Sequence, residues 1–502
     1  MICITIAQES RTLALADMLN AALMGADLLE VRLDCFDKAP NLPDLLAAKR
    51  KPLLFSCRRL QDGGNWKGTE VERQVLLRQA ILIKADYVEI EEDIADQIRP
   101  FPPCQRVISY TNLKETPPDI MGIYAEMQQK KPDVIKLTCR ARTPEEAWPL
   151  VQILAKPPVP TVVVGLGRPG VMLAVLGRKI GAPWTVAALE KGMEAYPGQP
   201  TMRDLEEIYS YRDIGKPTRF VGVTGLGERE FLTCGLMNSA FRSLKLHHRV
   251  LPMQVGNLKH FHKISEAVKL QGVTVEEEFY EQIHETAQLD ASAKVPVQAA
   301  DFILPGAEGW VASNTLGEAA VAAMMATIRN REPEAEEPLK GRTVLFAGCG
   351  PLTRMLAASI KERGAGLIFA SKDRNEALRM SQIFGARQLP WEGIYSTMHD
   401  VLVISRDGGK ADAEDEEEMP VHPGYLRGTM YILEMTNIPQ PSRFLREAKL
   451  RGCGIVPPGR LLLEQVRQHV KRITGQEVPL AGLEEKLMNW LPGEEDFGRD
   501  EG

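Results

Sequence analysis

The sequence predicts an α/β protein: an N-terminal (β/α)8 TIM barrel, a small α/β domain and a Rossmann-like domain. Three observations carry that expectation. Eight short apolar or β-branched runs alternate with helix-like stretches over about the first 210 residues, the size and rhythm of a barrel. A strand, a glycine turn, a helix and a second strand follow one another from Thr343 to Ala370, the pattern of a dinucleotide-binding fold. The composition, 44% apolar and 25% charged over 502 residues, is that of a globular chain with several cores. The domains read as 1–213 for the barrel, 219–325 for the small domain, 338–475 for the Rossmann-like domain with its C-terminal helix, and 476–502 for an acidic tail.

Taken in order, the barrel strands are expected at Ile2–Ile6, Leu28–Leu33, Leu53–Cys57, Tyr87–Glu91, Arg106–Tyr110, Val134–Thr138, Thr161–Gly165 and Thr185–Ala188. Helices are expected at Arg11–Met24, Glu70–Lys84, Pro118–Lys130, Pro144–Leu154 and Met172–Ile180. A (β/α)8 barrel places its chemistry at the carboxyl ends of the strands and in the loops that follow them.

Charge and cysteine usage narrow the function classes. The net charge is -6, and no basic block recurs with aromatics, so neither nucleic acid nor an acidic membrane is an expected partner. The eight cysteines are scattered, with no CxxC pair and no His-rich neighbour. They read as buried thiols of a reducing cytosol, with no metal site. The first residues lack a basic segment and a long apolar run, and no stretch approaches the length of a membrane span. A cytoplasmic protein is expected. Its oligomeric state is not legible.

Polar residues inside the strands carry the chemistry. Lys136 interrupts the apolar run Val134-Ile135-Lys136-Leu137-Thr138. A lysine at a strand end reaching water is the bland reading. Desolvation favours the neutral amine, which can attack a carbonyl to give a Schiff base. Glu30, Arg32 and Asp34 alternate along the second strand and face one way. Buried charges need partners, and a ring of Glu30, Arg32, Arg58, Glu91 and Lys136 lining the barrel would supply them. The alternative is a set of ion pairs that only fills the barrel, although such interiors are usually Val, Ile and Leu.

Several segments together resemble type I 3-dehydroquinate dehydratase over about residues 1–213. They are Ile2–Ile6, Gly25–Asp34, Arg58–Gly64, Ser109-Tyr110 followed by Thr116-Pro117, Val134-Ile135-Lys136, and Tyr196-Pro197-Gly198-Gln199-Pro200. The resemblance implies that Lys136 forms an imine with the C3 ketone of a dehydroquinate-type keto acid, without a cofactor. It implies that Glu30, Arg32, Arg58, Asp62 and Gln199 bind substrate or hold the lysine. The family has a histidine after strand five that removes the C2 proton; Thr111 stands there, and threonine is no base at neutral pH without one of its own. The arginine of the seventh loop reads as Ala174, with Arg168 near enough to take its place as a substrate ligand. The serine of the last loop reads as Ala195.

The run Gly165-Leu166-Gly167-Arg168-Pro169-Gly170 matches G-x-G-x-x-G. It follows barrel strand seven and lacks the acidic second strand of a dinucleotide site, so it reads as a tight βα turn. The turn at Gly348-Cys349-Gly350 is the better candidate, with Lys372 and Arg374 after the next strand, where NADP would want positive charge. The order of domains resembles the bifunctional dehydroquinate dehydratase–shikimate dehydrogenase proteins. The second half of that likeness rests on Gly222-Val223-Thr224-Gly225, Asn238–Arg242, Gly272–Val275, Asn314-Thr315, the Gly348 turn, Gly459 and Gln465. It implies NADP as cofactor of that half. Its substrate residues are replaced: Phe231 and Thr233 stand at the Ser-x-Ser pair, Tyr280 at the lysine, Leu316 at the aspartate, and Ile404-Ser405-Arg406-Asp407 at the nicotinamide loop. The acidic run Asp412–Glu418 beyond reads as a solvated loop. Shikimate oxidation is not expected. Three readings follow: a shikimate-pathway dehydratase of low turnover, a pseudoenzyme that binds or regulates, and an NAD(P) oxidoreductase of altered substrate.

Overall fold

The computed structural model describes residues 1–167, 170–405, 419–435 and 438–491. Eight strands open the chain: β1 (Ile2–Ile6), β2 (Leu28–Arg32), β3 (Leu53–Ser56), β4 (Tyr87–Glu91), β5 (Gln105–Asn112), β6 (Val134–Arg140), β7 (Thr161–Leu166) and β8 (Thr185–Ala187). Between them run α1 (Arg11–Leu23), α2 (Leu42–Ala47), α3 (Glu70–Leu82), α4 (Ile120–Gln129), α5 (Pro144–Ala155) and α6 (Val171–Ile180). The strands lie in the order β7-β6-β5-β4-β3-β2-β1-β8, with β8 parallel to β1. This is an eight-stranded parallel α/β barrel, nearly closed: among the described residues no ladder joins β7 to β8. α1, α3 and α5 start at the residue the sequence predicts, whereas α4 starts two residues later, α6 one residue earlier, and α2 has no expected counterpart. Thr69 and Glu72 form a capping box at α3, and Ser10 and Thr143 cap α1 and α5.

Every strand of the barrel is apolar enough to be covered on both faces. Inside, Leu28, Leu54, Val107, Val134 and Val162 form one apolar cluster with Trp184. Polar side chains occupy the interior above them. One buried pair bridges strand and helix. Arg73 of α3, with no exposed surface, binds both oxygens of Glu91 at 2.8 Å and the Cys57 carbonyl at 2.6 Å.

The chain continues through β9 (Arg219–Thr224), α7 (Glu228–Ser243), β10 (His248–Met253) and α8 (Leu258–Val268). It divides into two compact units, Met1–Arg219 with Arg249–Val268, and Phe220–His248 with Lys269–Gly502. In the first unit Arg249 pairs with Asp213 at 3.2 Å.

The second unit contains two sheets. In one, β9, β11 (Val273–Thr274), β13 (Phe302–Gly306), β14 (Gly309–Ser313) and β12 (Gln288–Leu289) lie side by side. The other is wholly parallel. It comprises β15 (Thr343–Ala347), β16 (Gly366–Ala370), β17 (Arg387–Leu389), β18 (Val401–Ile404), β19 (Tyr431–Glu434) and β20 (Gly454–Ile455), in the order β17-β16-β15-β18-β19-β20. Its helices are α9 (Thr315–Arg331), α10 (Pro351–Lys361), α11 (Arg374–Phe384), α12 (Arg443–Leu450), α13 (Pro458–Thr474) and α14 (Ala481–Trp490). The charged segment between α9 and β15 is tied down, since Glu332 accepts from Tyr431 Oη at 2.6 Å and pairs with Arg342. The segment read as an acidic tail contains α14. Leu483 and Leu487, one turn apart, are both buried, and that spacing marks an amphipathic helix. Among the described residues no helix is long and apolar enough to cross a membrane, and no cluster of His, Cys, Asp or Glu could hold a metal ion.

Removing one member of a buried pair strands the other charge. Glu91→Ala is therefore expected to lower the stability of the barrel unit by about 3–5 kcal/mol, read as a shift of its thermal or urea transition. An unchanged transition would mean that Arg73 finds other acceptors.

Candidate active site

Lys136 sits in the middle of β6, opposite Ser109 of β5, and only 1% of it is exposed. Its Nζ donates to Glu89 Oε2 at 2.7 Å and lies 3.5 Å from Glu30 Oε2. Glu30 is completely buried and accepts from Ser56 Oγ at 2.9 Å and Arg58 Nη2 at 2.7 Å. Arg58 Nε lies 3.7 Å from Glu89. Burial alone would raise the Glu30 carboxyl; Lys136, Arg58 and Arg32 outweigh it and hold Glu30 well below the usual carboxylate range. The cluster is a closed account of charge, with Lys136 and Arg58 against Glu30 and Glu89. Glu89 occupies the place expected of Glu91, because Glu91 lies at the strand end within reach of Arg73.

Arg32 forms its own pair. Its Nε and Nη2 donate to Asp34 at 3.0 and 2.6 Å, and Asp34 also accepts the backbone N–H groups of Arg58 (3.1 Å) and Asn65 (2.9 Å). Burial would raise the Asp34 carboxyl, but these four contacts lower it. The result is a brace between the end of β2 and the loop after β3, which sets where Arg58 begins. Asp62 is buried but turned to Arg59 Nε at 2.6 Å, away from the lysine. Gln199 Oε1 accepts the Ala195 N–H at 2.7 Å, and its Nε2 donates to Thr5 Oγ1 at 3.3 Å; it fastens the loop after β8 over the barrel. Thr111 pairs in register with Thr138 and alternates with Ser109 and Val107, so it shares their inward face. Among the described residues no hydrogen bond joins it to Lys136. Ala174 lies in α6. Arg168, expected as a substrate ligand, lies outside the described residues.

Glu30, Arg32, Arg58 and Lys136 line one cavity with Thr5, Thr138, Val164, Val186, Ala195 and Tyr196. Its volume is about 10 Å³, room for one water at most. Tyr196 of the last loop packs against the apolar cluster below, and burial pushes its phenol well above the usual range. Sequence reasoning missed Glu89 and Tyr196 as site residues. Glu89 had a signal, since it alternates with Glu91 on an otherwise apolar strand. Tyr196 had none, because only the loop's path turns it inward.

The second unit holds a larger cleft of about 810 Å³. Gly348 has φ 104°, and a Cβ there would come within 2.1 Å of the Ser405 carbonyl oxygen, so only glycine makes this turn. Thr353 of α10 donates to the Gly348 carbonyl at 3.1 Å and bonds Ser405 Oγ at 2.7 Å. Cys349, Gly350, Pro351 and Arg354 line the cleft. Lys372 and Arg374 are exposed and do not line it, whereas Asp373 and Glu376 do. Lys372 Nζ lies 5.8 Å from the Trp391 ring centroid. At the inner wall Asp301 is completely buried. It accepts from Thr315 N (2.6 Å), Leu316 N (3.2 Å), Gln465 Nε2 (2.8 Å) and Thr315 Oγ1, with His469 Nε2 at 3.6 Å. Arg229 donates to Gln465 at 2.7 Å, and Thr233 spends its hydroxyl on the Arg229 carbonyl at 2.7 Å. The turn and the N-terminus of α10 suit the pyrophosphate of a nicotinamide dinucleotide, which would supply hydride transfer.

A family model described as type I 3-dehydroquinase matches residues 2–216. The 3-dehydroquinate dehydratase of Methanopyrus kandleri is 30% identical over 196 residues, which cover 38% of this chain and 89% of that one. The chloroplastic bifunctional 3-dehydroquinate dehydratase/shikimate dehydrogenase of Arabidopsis thaliana is 26% identical over 499 residues, covering 95% of this chain and 83% of its own length. Among solved structures, shikimate dehydrogenase from Aquifex aeolicus matches at 20% identity and TM-score 0.48, over 55% of this chain and 99% of that one.

Two expectations follow from the barrel geometry. Tyr196→Ala should open the cavity, so that Lys136 is reductively methylated by formaldehyde and cyanoborohydride several-fold faster; mass spectrometry of the Lys136 peptide gives the rate. The folded Glu30 carboxyl lies below its ordinary 4.5, so its contribution to stability is present above that pH and is lost as pH falls through the folded value. Glu30→Gln should therefore remain less stable than the parent at about pH 4, the gap closing only in stronger acid, as followed by thermal unfolding.

Proposed function

The chain belongs to the type I 3-dehydroquinate dehydratase family, in the fusion arrangement with a shikimate dehydrogenase-like half, and on that premise we propose that its barrel captures a dehydroquinate-type keto acid as an imine on Lys136. The observation that carries this reading is the buried Lys136 Nζ held 2.7 Å from Glu89 at the wall of the barrel cavity. Attack on the ketone needs the free amine. Glu89 is placed to take the proton from Nζ and to return it to the carbinolamine oxygen, which leaves as water when the C=N bond forms. Arg58 and Arg32 supply positive charge at the same cavity for the substrate carboxylate. The protonated imine then draws electrons from C2, easing loss of the C2 proton and of the C1 hydroxyl.

The second half of that sequence has no evident base. Thr111 stands where the family uses histidine, and a positioned base is worth about 10²–10⁴-fold. The cavity, at about 10 Å³, also requires the Tyr196 loop to move before a carbocyclic acid enters. The barrel therefore forms its imine faster than it turns it over. The same closed cavity favours, as a second reading, a binding or regulatory role in which turnover is incidental. In the other half Phe231, Thr233, Tyr280 and Leu316 stand where the family has its carboxylate-gripping and proton-transfer side chains, and shikimate is not oxidised there.

Borohydride reduction in the presence of dehydroquinate should fix a covalent adduct on the Lys136 peptide of the parent protein and none on Lys136→Arg, which keeps the charge but cannot lose its proton. Glu89→Gln should slow adduct formation. Thr111→His should raise dehydratase turnover by about 10²-fold or more. No adduct at saturating dehydroquinate would sink the imine, and unchanged turnover in Thr111→His would sink the account of the missing base.

A further inference from the structure

The charged residues that follow β16 differ in whether they line the cleft of the second unit. Rossmann-like sites read the adenosine ribose with the residue that follows the second strand: an acid accepts from the 2′- and 3′-hydroxyls, whereas cations hold a 2′-phosphate. Here the second strand is β16, and three charged residues follow it. Lys372 and Arg374 are exposed, and neither lines the cleft. Asp373, between them, does.

The geometry prepares Asp373 for that task. Its backbone N–H donates to Ser371 Oγ at 2.9 Å, and its Oδ1 accepts the Asn375 N–H at 2.9 Å as the N-cap of α11. The carboxylate is held by one oxygen, and among the described residues the other makes no hydrogen bond. The nearby charges do not compensate. Arg379 lines the cleft, but its Nη1 lies 3.5 Å from Glu376, which lines it as well. Among the charged side chains that line this corner, two carboxylates stand with one guanidinium, itself paired. A second polar group faces the same cleft without a partner. Tyr280 is 3% exposed, and among the described residues its hydroxyl makes no hydrogen bond. The groups whose charges act on it, Arg229, Asp301, Glu277 and Glu230, are all cleft residues.

We propose that this cleft is a binding site for the non-phosphorylated dinucleotide, NAD(H), with Asp373 as the residue that accepts from the adenosine ribose and rejects a 2′-phosphate. The site is separate from the Lys136 cavity, so its success or failure leaves the imine reading untouched.

The test is calorimetric titration of the full chain with NAD+, NADH, NADP+ and NADPH. NAD(H) is expected to bind at least about a hundredfold tighter than NADP(H), the scale on which like charges brought together suppress a wrong partner. In Asp373→Ser, which keeps an N-cap residue for α11, the preference should fall about tenfold or more, with unchanged circular dichroism. NADP(H) binding as tightly as NAD(H), binding of neither, or an unchanged ratio in Asp373→Ser would each overturn the assignment.

Discussion

The barrel depends on charge neutrality in an interior that its own side chains shield from solvent. Lys136 and Arg58 enter the interior with Glu30 and Glu89, and Arg32 enters with Asp34. Each ion would be costly there alone, by several kcal/mol even after relaxation. In company they set one another's position: Glu30 touches Ser56, Arg58 and Lys136, so β2, β3 and β6 are held in common. The apolar cluster beneath sets the width of the barrel, and the charged side chains above it decide what the barrel can do. A lysine kept beside two carboxylates has a proton acceptor within hydrogen-bond reach.

The second unit solves a similar problem with a different device. Asp301, also fully buried, is neutralised less by charge than by donors drawn from two segments: the start of α9, and α13 with Gln465 and His469. Gln465 and His469 lie one turn apart on α13, so a single carboxylate joins the start of β13, α9 and the C-terminal helix. His469 stacks on Phe302 with centroids 4.5 Å apart, and burial keeps its pKa below the usual value. Tyr280 lines the same cleft as this braced carboxylate.

Much of this was legible in the sequence because it rests on period. The barrel strands were placed to within a residue or two, since β-branched runs and capped helices alternate regularly. Lys136, Glu30 and Arg58 were legible as a group, because buried charges require one another. What escaped depends on three-dimensional path. Glu91 and Glu89 share a strand face, and only the position of Arg73 on α3 decides which of them reaches the lysine. Tyr196 is one aromatic in a Pro-Gly loop, and nothing local says that it turns inward. Lys372 and Arg374 are cations at a phosphate-binding position by spacing, but the start of α11 at Arg374 points Asp373 to the cleft in their stead. The helix over Ala481–Trp490 was hidden behind an acidic composition.

The neutral cluster also sets the order in which such a site can decay. Thr111 stands on the upper, half-exposed part of β5, where exchange of a side chain costs the fold little. Loss of the Lys136 charge would leave Glu89 and Glu30 with Arg58 as their remaining cation in a buried site, a larger cost. A lineage under no selection for turnover would thus exchange side chains at this rim before it exchanged the lysine. The persistence of a catalytic-looking lysine in a relative of this chain is then a record of folding as much as of chemistry, and the rim is where selection for turnover is to be read.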